Sequence, residues 1–148
     1  MSARLKGRLR LVKKLLSDLV IWAQSREDVE GMVMVGSYAR GTAGMASDVD
    51  IVILTPEFER LAEDVLWVLK LRPGSKLIRA KAWGPLLERR FRLPSDLQLE
   101  LGLVSPSWAD VPLDPGTLGV LADRHQVIYE RHQRLSKASE AVGRVPTA

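Results

Sequence analysis

Two aspartates separated by one valine, Asp48 and Asp50, stand a short way along the chain after the pair Gly36-Ser37. Both motifs lie at the ends of apolar, β-branched runs that are typical of buried strands. Because side chains alternate along a strand, Asp48 and Asp50 should point to the same side of a sheet. Two carboxylates that face a Gly-Ser turn at the end of a sheet are suited to holding a metal-bound phosphate.

The Gly36-Ser37 pair has its own chemistry. Glycine permits a close backbone approach and unusual dihedral angles, and Ser37 offers its hydroxyl and amide at the start of a helix, where anions bind readily. The alternative interpretation is a plain helix cap, which Ser37 would also provide. The matching aspartates favour the phosphate site.

The elements that must position these residues alternate between helices and strands. Apolar three-four spacing predicts an N-terminal helix over residues 3–25. A first strand should end at Gly36, and a second should begin at the aspartates. A helix should follow from Thr55-Pro56-Glu57 to Pro73-Gly74. Residues 76–83 and 97–104 alternate as strands, the second being the clearest in the chain. This order predicts an α/β (α+β) fold: a single compact domain with a mixed β-sheet and flanking helices.

The remaining segments are less regular. Residues 84–96 form a charged, proline-punctuated connection, in which Arg89 and Arg90 are interpreted as part of a solvated charge run. Two short apolar runs, at 120–121 and 127–129, suggest a terminal hairpin. Residues 1–132 are expected to form the domain, and residues 133–148 a polar tail or frayed helix.

Composition narrows the class of protein. The chain has 148 residues, of which 46% are hydrophobic and 27% charged, an ordinary balance for one globular domain. Because it contains no cysteine, a disulfide framework, a thiol nucleophile and a zinc-thiolate site are excluded. No apolar run reaches the length of a membrane span and no signal-peptide core is present, so we expect a cytoplasmic protein without a membrane partner.

The net charge of +4 is concentrated near the N-terminus. The basic residues there favour either a polyanion-binding patch or the solvated face of an amphipathic helix. The helix face is the simpler interpretation, so nucleic acid is not the favoured partner.

The two motifs together resemble the signature of the nucleotidyltransferase superfamily, which includes DNA polymerase β. The segment Gly-Ser-Tyr-Ala-Arg-Gly-Thr-Ala at 36–43, followed by Ser47-Asp48-Val49-Asp50, is especially similar to the minimal nucleotidyltransferases. Many of those small proteins pair with a helical, toxin-like protein. The resemblance covers about residues 25–130 and implies the polymerase-β-like fold.

The resemblance also implies roles for individual residues. In this superfamily an acceptor hydroxyl attacks the α-phosphate of an NTP, and two Mg²⁺ ions held by carboxylates assist. Asp48 and Asp50 match the paired carboxylates, and a third normally comes from a neighbouring strand. Glu100 is the best candidate, although its face, shared with Gln98, is also that of an ordinary half-solvated residue. Asp96 is in phase as well, but it lies in a Pro-Ser-Asp turn where an acid is expected.

The predicted catalytic residues and metal ligands are therefore Asp48, Asp50 and Glu100. Gly36, Ser37 and Arg40 are the candidates for nucleotide binding, although Arg40 is equally placed to cover the helix surface. Three clustered carboxylates support this set on electrostatic grounds, because two like charges about 4 Å apart repel by roughly 4 kcal/mol at an effective dielectric constant near 20. Such a cluster must raise its pKa values or recruit a cation.

We therefore expect a magnesium-dependent enzyme that transfers a nucleoside monophosphate from an NTP, most simply ATP, to a hydroxyl of a small molecule or protein. The alternative is an antitoxin-like or regulatory nucleotide-binding protein that acts mainly by binding a helical partner protein. An intact acidic triad favours the enzyme, whereas the small size of the chain keeps the binding protein open.

Overall fold

A computed structural model describes residues 1–144, which form one mixed sheet flanked by helices. The sheet has six strands in the order β3-β4-β5-β2-β1-β6. The strands are β1 Gly31–Val35, β2 Val49–Leu54, β3 Lys76–Trp83, β4 Leu86–Arg92, β5 Gln98–Val104 and β6 Gln126–Glu130. The helices are α1 Ala3–Gln24, α2 Gly36–Arg40, α3 Phe58–Glu63, α4 Leu66–Leu71, α5 Pro115–Ala122 and α6 Arg134–Gly143.

One pair of strands, β2 and β5, is parallel, and the other pairings in the sheet are antiparallel. β2 and β5 therefore start at the same edge of the sheet. The antiparallel strand β1 ends there, with Val35 opposite Asp50. Gly36, Asp48, Asp50 and Glu100, the main candidates from the sequence, lie at this edge.

Each face of the sheet has its own hydrophobic core. On one face, apolar side chains of the central strands pack against α1, α3 and α4; the buried helical residues are Val12, Leu15, Leu19, Ala23, Leu61, Ala62 and Val68. On the other face, Val33, Val52, Leu54 and Val104 pack against Leu121 of α5 and Leu135 and Ala138 of α6. The sheet is therefore buried on both sides at its centre, which fixes the strand register.

The N-terminal helix forms where the sequence predicted it. Ser2 caps it, its side-chain oxygen accepting a hydrogen bond from the amide of Leu5 at 3.1 Å. Its basic side chains are mostly exposed, as expected of a solvated face, but Arg8 is half-buried and donates to the carbonyl oxygen of Ser95 at 3.1 Å. Among the helices within residues 1–144, none combines the length and apolar character required of a membrane span.

Two expectations for the middle of the chain need correction. The helix predicted after Thr55 is divided into α3 and α4, because Asp64 ends the first and accepts a hydrogen bond from the amide of Leu66 at the start of the second. The connection predicted over residues 84–96 contains β4 instead, which follows β3 through the two-residue turn Gly84-Pro85. Phe91 of β4 is fully buried, so this charged segment contributes to the core.

The predicted terminal hairpin is also wrong in its first half. Residues 120–121 lie in α5, because Asp114 accepts a hydrogen bond from the amide of Gly116 and Pro115 occupies the first helical position. The second apolar run does form a strand, β6, which pairs with β1.

The segment predicted as a polar tail or frayed helix forms α6, and Leu135 and Ala138 anchor it in the core. Residues 145–148 of that segment lie outside the part of the chain that the structure describes.

We predict that Leu135→Ala lowers the free energy of unfolding by about 2–5 kcal/mol, because it leaves a cavity beneath α6. Lys137→Ala on the exposed side of the same helix is the control and should change stability little. Urea denaturation of both variants measures the difference. Equal stability of the two variants would show that α6 does not contribute to the folded domain.

Candidate active site

Three carboxylates meet at the edge where β2 and β5 start. Asp50 of β2 lies directly beside Glu100 of β5 in the parallel pair, and Asp48 precedes β2 on the same side. One carboxylate oxygen from each residue lies within 4.8 Å of the others. The leucines of β5 on its opposite face are buried in the core, so the alternation of β5 directs Glu100 toward the aspartates. The structure thus brings the three predicted residues together.

Arginines from the next two strands neutralise part of this charge. Nη2 of Arg90, on β4, donates to Oε1 of Glu100 at 2.8 Å and to Oδ2 of Asp48 at 3.1 Å. Nη2 of Arg79, on β3, lies 3.2 Å from the same Glu100 oxygen. In this state the arginines provide the positive charge that Asp48 and Glu100 require.

No arginine pairs with Asp50 within residues 1–144. Its repulsion by the neighbouring carboxylates instead favours the protonated form. Burial, hydrogen bonding to Glu100 and the charge of Asp48 together raise the pKa of Asp50 to about 9. Asp50 is therefore protonated at neutral pH when the arginines are the cations present. Its Oδ1 atom is buried and has no hydrogen-bond partner in the described part of the chain.

Behind Glu100 lies a tight ion pair that holds Arg79 in place. Glu88 of β4 accepts two hydrogen bonds from the Arg79 guanidinium, at 2.7 Å each. The Glu88 side chain is almost fully buried, and Arg79 is the main cause that lowers its pKa to about 2. Glu88 therefore stays ionised and orients Arg79 toward Glu100.

Gly36 is the point of closest backbone approach to the aspartates. Its φ of +77° is in the left-handed region, which favours glycine. A Cβ atom there would lie 2.2 Å from Oδ2 of Asp50, closer than any real contact. Gly36 thus leaves the space that Asp50 occupies, and Ser37 follows it in the first turn of α2.

Arg40 points away from this cluster. Its Nη1 atom donates to Oδ2 of Asp123, just after α5, at 3.0 Å. Asp96, the alternative third carboxylate, lies in the turn before β5, where its amide donates to the carbonyl oxygen of Leu93. The cluster therefore contains Glu100 and not Asp96.

Residues 12–108 match a family model described as nucleotidyltransferase domain. This span covers more than half of the chain and includes both motifs and Glu100. The chain belongs to the nucleotidyltransferase domain family. The resemblance noted in the sequence and the mixed α/β fold are confirmed. Membership of this family agrees with the expectation of a nucleotidyltransferase enzyme.

Cid1 poly(U) polymerase is a solved structure similar to this nucleotidyltransferase domain, at 17% sequence identity and a TM-score of 0.43. The alignment covers 66% of this chain and 29% of that one, so the chain spans less than a third of the polymerase. None of the curated proteins matches the chain significantly.

The carboxylate cluster of this nucleotidyltransferase domain fits the divalent metal that its family uses. Carboxylate oxygens are the ligands that Mg²⁺ prefers, and three of them converge here. The buried, unpartnered Oδ1 atom of Asp50 is a second indication, because such an atom in a folded protein calls for a partner. A bound cation would also supply the positive charge that the proton on Asp50 and the Arg90 guanidinium otherwise provide.

Sequence analysis missed three side chains around the cluster, namely Arg79, Glu88 and Arg90. Glu88 and Arg90 lie in the segment predicted as a charged connection, whereas in β4 they share the face of the sheet that carries Glu100. The indication was present in the sequence: Trp83-Gly84-Pro85 is a turn between two alternating runs. Arg89 lies on the opposite face, where its Nε atom donates to the carbonyl oxygen of Ala62 at 2.9 Å.

We predict that Gly36→Ala weakens magnesium-dependent ATP binding by more than about tenfold, because the new methyl group displaces the Asp50 carboxyl. Gly41→Ala is a matched control: Gly41 has a φ of +75°, so the backbone strain is similar, but a Cβ atom there has no neighbour within 4 Å among the described residues. Calorimetric titration with MgATP measures both variants. Equal losses in the two would mean that backbone strain, and not the contact with Asp50, explains the effect.

Proposed function

We propose that this chain transfers a nucleoside monophosphate from an NTP, with ATP as the first candidate, to a hydroxyl group of an acceptor, with Mg²⁺ held by Asp48, Asp50 and Glu100. The observation that supports this most is the register of β2 and β5, which sets Asp50 beside Glu100 with Asp48 at the same edge. The family supports nucleotidyl transfer in general, and the metal, the nucleotide and the acceptor are parts of this proposal.

Each carboxylate has a distinct place in the proposed site. Asp48 and Asp50 would hold the cations, and Glu100, on the neighbouring strand, would complete the set of ligands and face the acceptor. When bound, the cations supply the positive charge that stabilises the attacking and leaving oxygens of the transfer. Asp50 must lose its proton for this role, and the raised pKa of its carboxyl group opposes that loss until a cation lies beside it.

Arg90 must release Asp48 and Glu100 before these oxygens can bind a cation. Its guanidinium would remain at the edge of the site, because it also donates to the side-chain oxygen of Gln98 at 3.3 Å. From there it is placed to donate a hydrogen bond to a phosphate oxygen of the nucleotide. The positive charge of Arg90, which offsets the acids, would then offset the triphosphate.

Gly36 and Ser37 would bind the phosphates of the nucleotide. The absence of a side chain at Gly36 keeps the backbone close to Asp50, and Ser37 offers its hydroxyl group next to it. Arg40 would have to break its ion pair with Asp123 to bind a phosphate oxygen. Because this pair is exposed, breaking it costs little free energy.

The chemistry is a substitution at the α-phosphorus. The acceptor oxygen forms a bond to phosphorus, the bond from phosphorus to the oxygen of pyrophosphate breaks, and pyrophosphate leaves. The acceptor's proton passes to a Glu100 carboxylate oxygen and from there to water. Glu100 is thus the one carboxylate of the three whose loss should affect the transfer more than the binding of the nucleotide.

We predict that Glu100→Gln retains MgATP affinity within a few-fold but slows transfer by about 10²–10⁴-fold, in line with the loss of one acid–base contribution. Asp96→Asn is the control, because it removes the other in-phase acid, and asparagine tolerates the φ of +64° at this position. Transfer from radiolabelled ATP to a mixture of metabolites, peptides and purified protein measures the rate.

An unchanged transfer rate in Glu100→Gln would contradict the role of Glu100. MgATP binding by the unmodified chain without transfer to any acceptor would instead favour the regulatory nucleotide-binding protein. Asp48→Asn distinguishes the two cases further, since an enzyme would lose transfer and a binding protein would keep its partner.

A further inference from the structure

An apolar pocket of about 330 Å³ opens directly beside the carboxylate cluster. Asp50 and Glu100 line one end of it, and Glu88 lines it further along, beside Gly102. The other lining residues are apolar or have no side chain, among them Val35, Val52, Trp83, Leu86, Gly102 and Val120. Its volume and this combination of apolar walls with a few convergent polar groups are typical of small-molecule sites.

The strand register places the pocket relative to the carboxylates. Val52 and Gly102 lie side by side, two residues further into the sheet than Asp50 and Glu100 and on the same face. Glu88 lies opposite Gly102, and Trp83 lies opposite Leu86 at the end of the β3–β4 hairpin. The pocket therefore extends from the carboxylates inward over the sheet, whereas α2 begins at the edge where β1 ends.

Two of the pocket walls are large apolar side chains that remain accessible to solvent. Trp83 is 53% exposed and Val120, on α5, is 37% exposed. Exposed apolar side chains from separate elements that converge on a catalytic cluster indicate a ligand surface rather than a packing defect. A flat apolar group between them would bury both.

We infer that this pocket is the acceptor subsite, and that the acceptor is a small molecule with a flat apolar body bearing the hydroxyl group to be modified. The inference rests on the proposed function and names the class of its second substrate. The apolar walls hold the body of the acceptor, and the carboxylate end receives its hydroxyl group. The hydroxyl oxygen then lies beside Glu100, which takes its proton as the oxygen bonds to the α-phosphorus and pyrophosphate leaves.

The lining argues against a nucleic-acid or sugar acceptor. A nucleic-acid or sugar acceptor would present phosphates and hydroxyl groups to Val52, Leu86 and Val120, which offer them no hydrogen bonds. Two carboxylates of the lining, Glu88 and Glu100, are already paired with Arg79. One hydroxyl group beside Glu100 therefore satisfies the polar part of this site.

The probe for this pocket is 2-naphthol, a flat apolar alcohol, with glucose as the polar comparison. Val120→Trp fills the pocket from α5, and Trp83→Ala removes one wall; both positions are exposed, so both variants should fold. The matched controls are Val111→Trp and Leu77→Ala, exposed apolar positions outside the pocket lining. Circular dichroism checks the fold of each variant.

We expect 2-naphthol to bind to the unmodified chain, and a radiolabelled naphthyl nucleotide ester to form from labelled ATP and Mg²⁺. Both pocket variants should weaken naphthol binding by about tenfold or more while leaving the MgATP affinity within about twofold. The controls should bind both ligands normally. Glucose should yield no labelled product.

MgATP binding without naphthol binding or without the naphthyl ester would overturn this inference and leave the proposed function standing. Loss of MgATP affinity in Val120→Trp would assign the pocket to the nucleotide base and would also overturn it. A chain that binds no MgATP would instead overturn the proposed function, and the acceptor assignment with it.

Discussion

Mutual repulsion of three carboxylates is the constraint on which the functional edge of this protein depends. Asp48, Asp50 and Glu100 hold their oxygens within 4.8 Å of one another, where like charges cost several kcal/mol unless a cation or a proton intervenes. The fold can keep them together because the backbone that carries them is fixed elsewhere: β2 and β5 are buried on both faces beyond the cluster. Hydrophobic burial thus stabilises an arrangement that is unfavourable on its own.

Neighbouring side chains and a proton offset part of that repulsion. Arg90 bridges Asp48 and Glu100, Arg79 supports Glu100, and Asp50 keeps a proton. These solutions differ in how easily they can be reversed. A proton can leave, and Arg90 makes only one hydrogen bond to each acid, whereas the bidentate pair between Arg79 and the nearly buried Glu88 is fixed. The exchangeable charges are the ones that touch the residues proposed to bind metal.

At the end of the sheet that carries the carboxylates, the site and the core lie on opposite faces of the same strands. In β2, Val49, Ile51 and Ile53 pack against the α1 side, while Asp50 faces the site. In β5, side chains alternate in the same way, so the leucines face the core and Glu100 faces the cluster. Further along this site-facing side, Val52 and Gly102 form the floor of the apolar pocket. The carboxylates therefore lie at the edge of the sheet, and the apolar surface next to them is accessible to a substrate.

Strand alternation and the order of the two motifs are local properties, so the sequence was sufficient to place Asp48 and Asp50 on one side of a strand. Glu100 was predicted as their neighbour because the family resemblance implies a third carboxylate, and the pairing of β2 with β5 brings the three together. The sequence was not sufficient for Arg90, because its role depends on β4 pairing with β5 beside Glu100. A run of arginines in a charged segment looks solvated until the partner strand is known. The C-terminal helix was underestimated for a similar reason: only its contact with the core shows that Leu135 is buried.

The central claim is that the cluster is built for a divalent cation, for which Arg90 is the exchangeable substitute. Calorimetric titration with Mn²⁺ alone, without nucleotide, tests it most directly on the unmodified chain, Arg90→Gln and Arg92→Gln. Arg92 is an exposed residue on the same strand, so it controls for the loss of one positive charge. The account predicts that Arg90→Gln binds Mn²⁺ about tenfold more tightly, a gain of about 1.4 kcal/mol, while Arg92→Gln changes little. Unchanged or weaker Mn²⁺ binding by Arg90→Gln would contradict it.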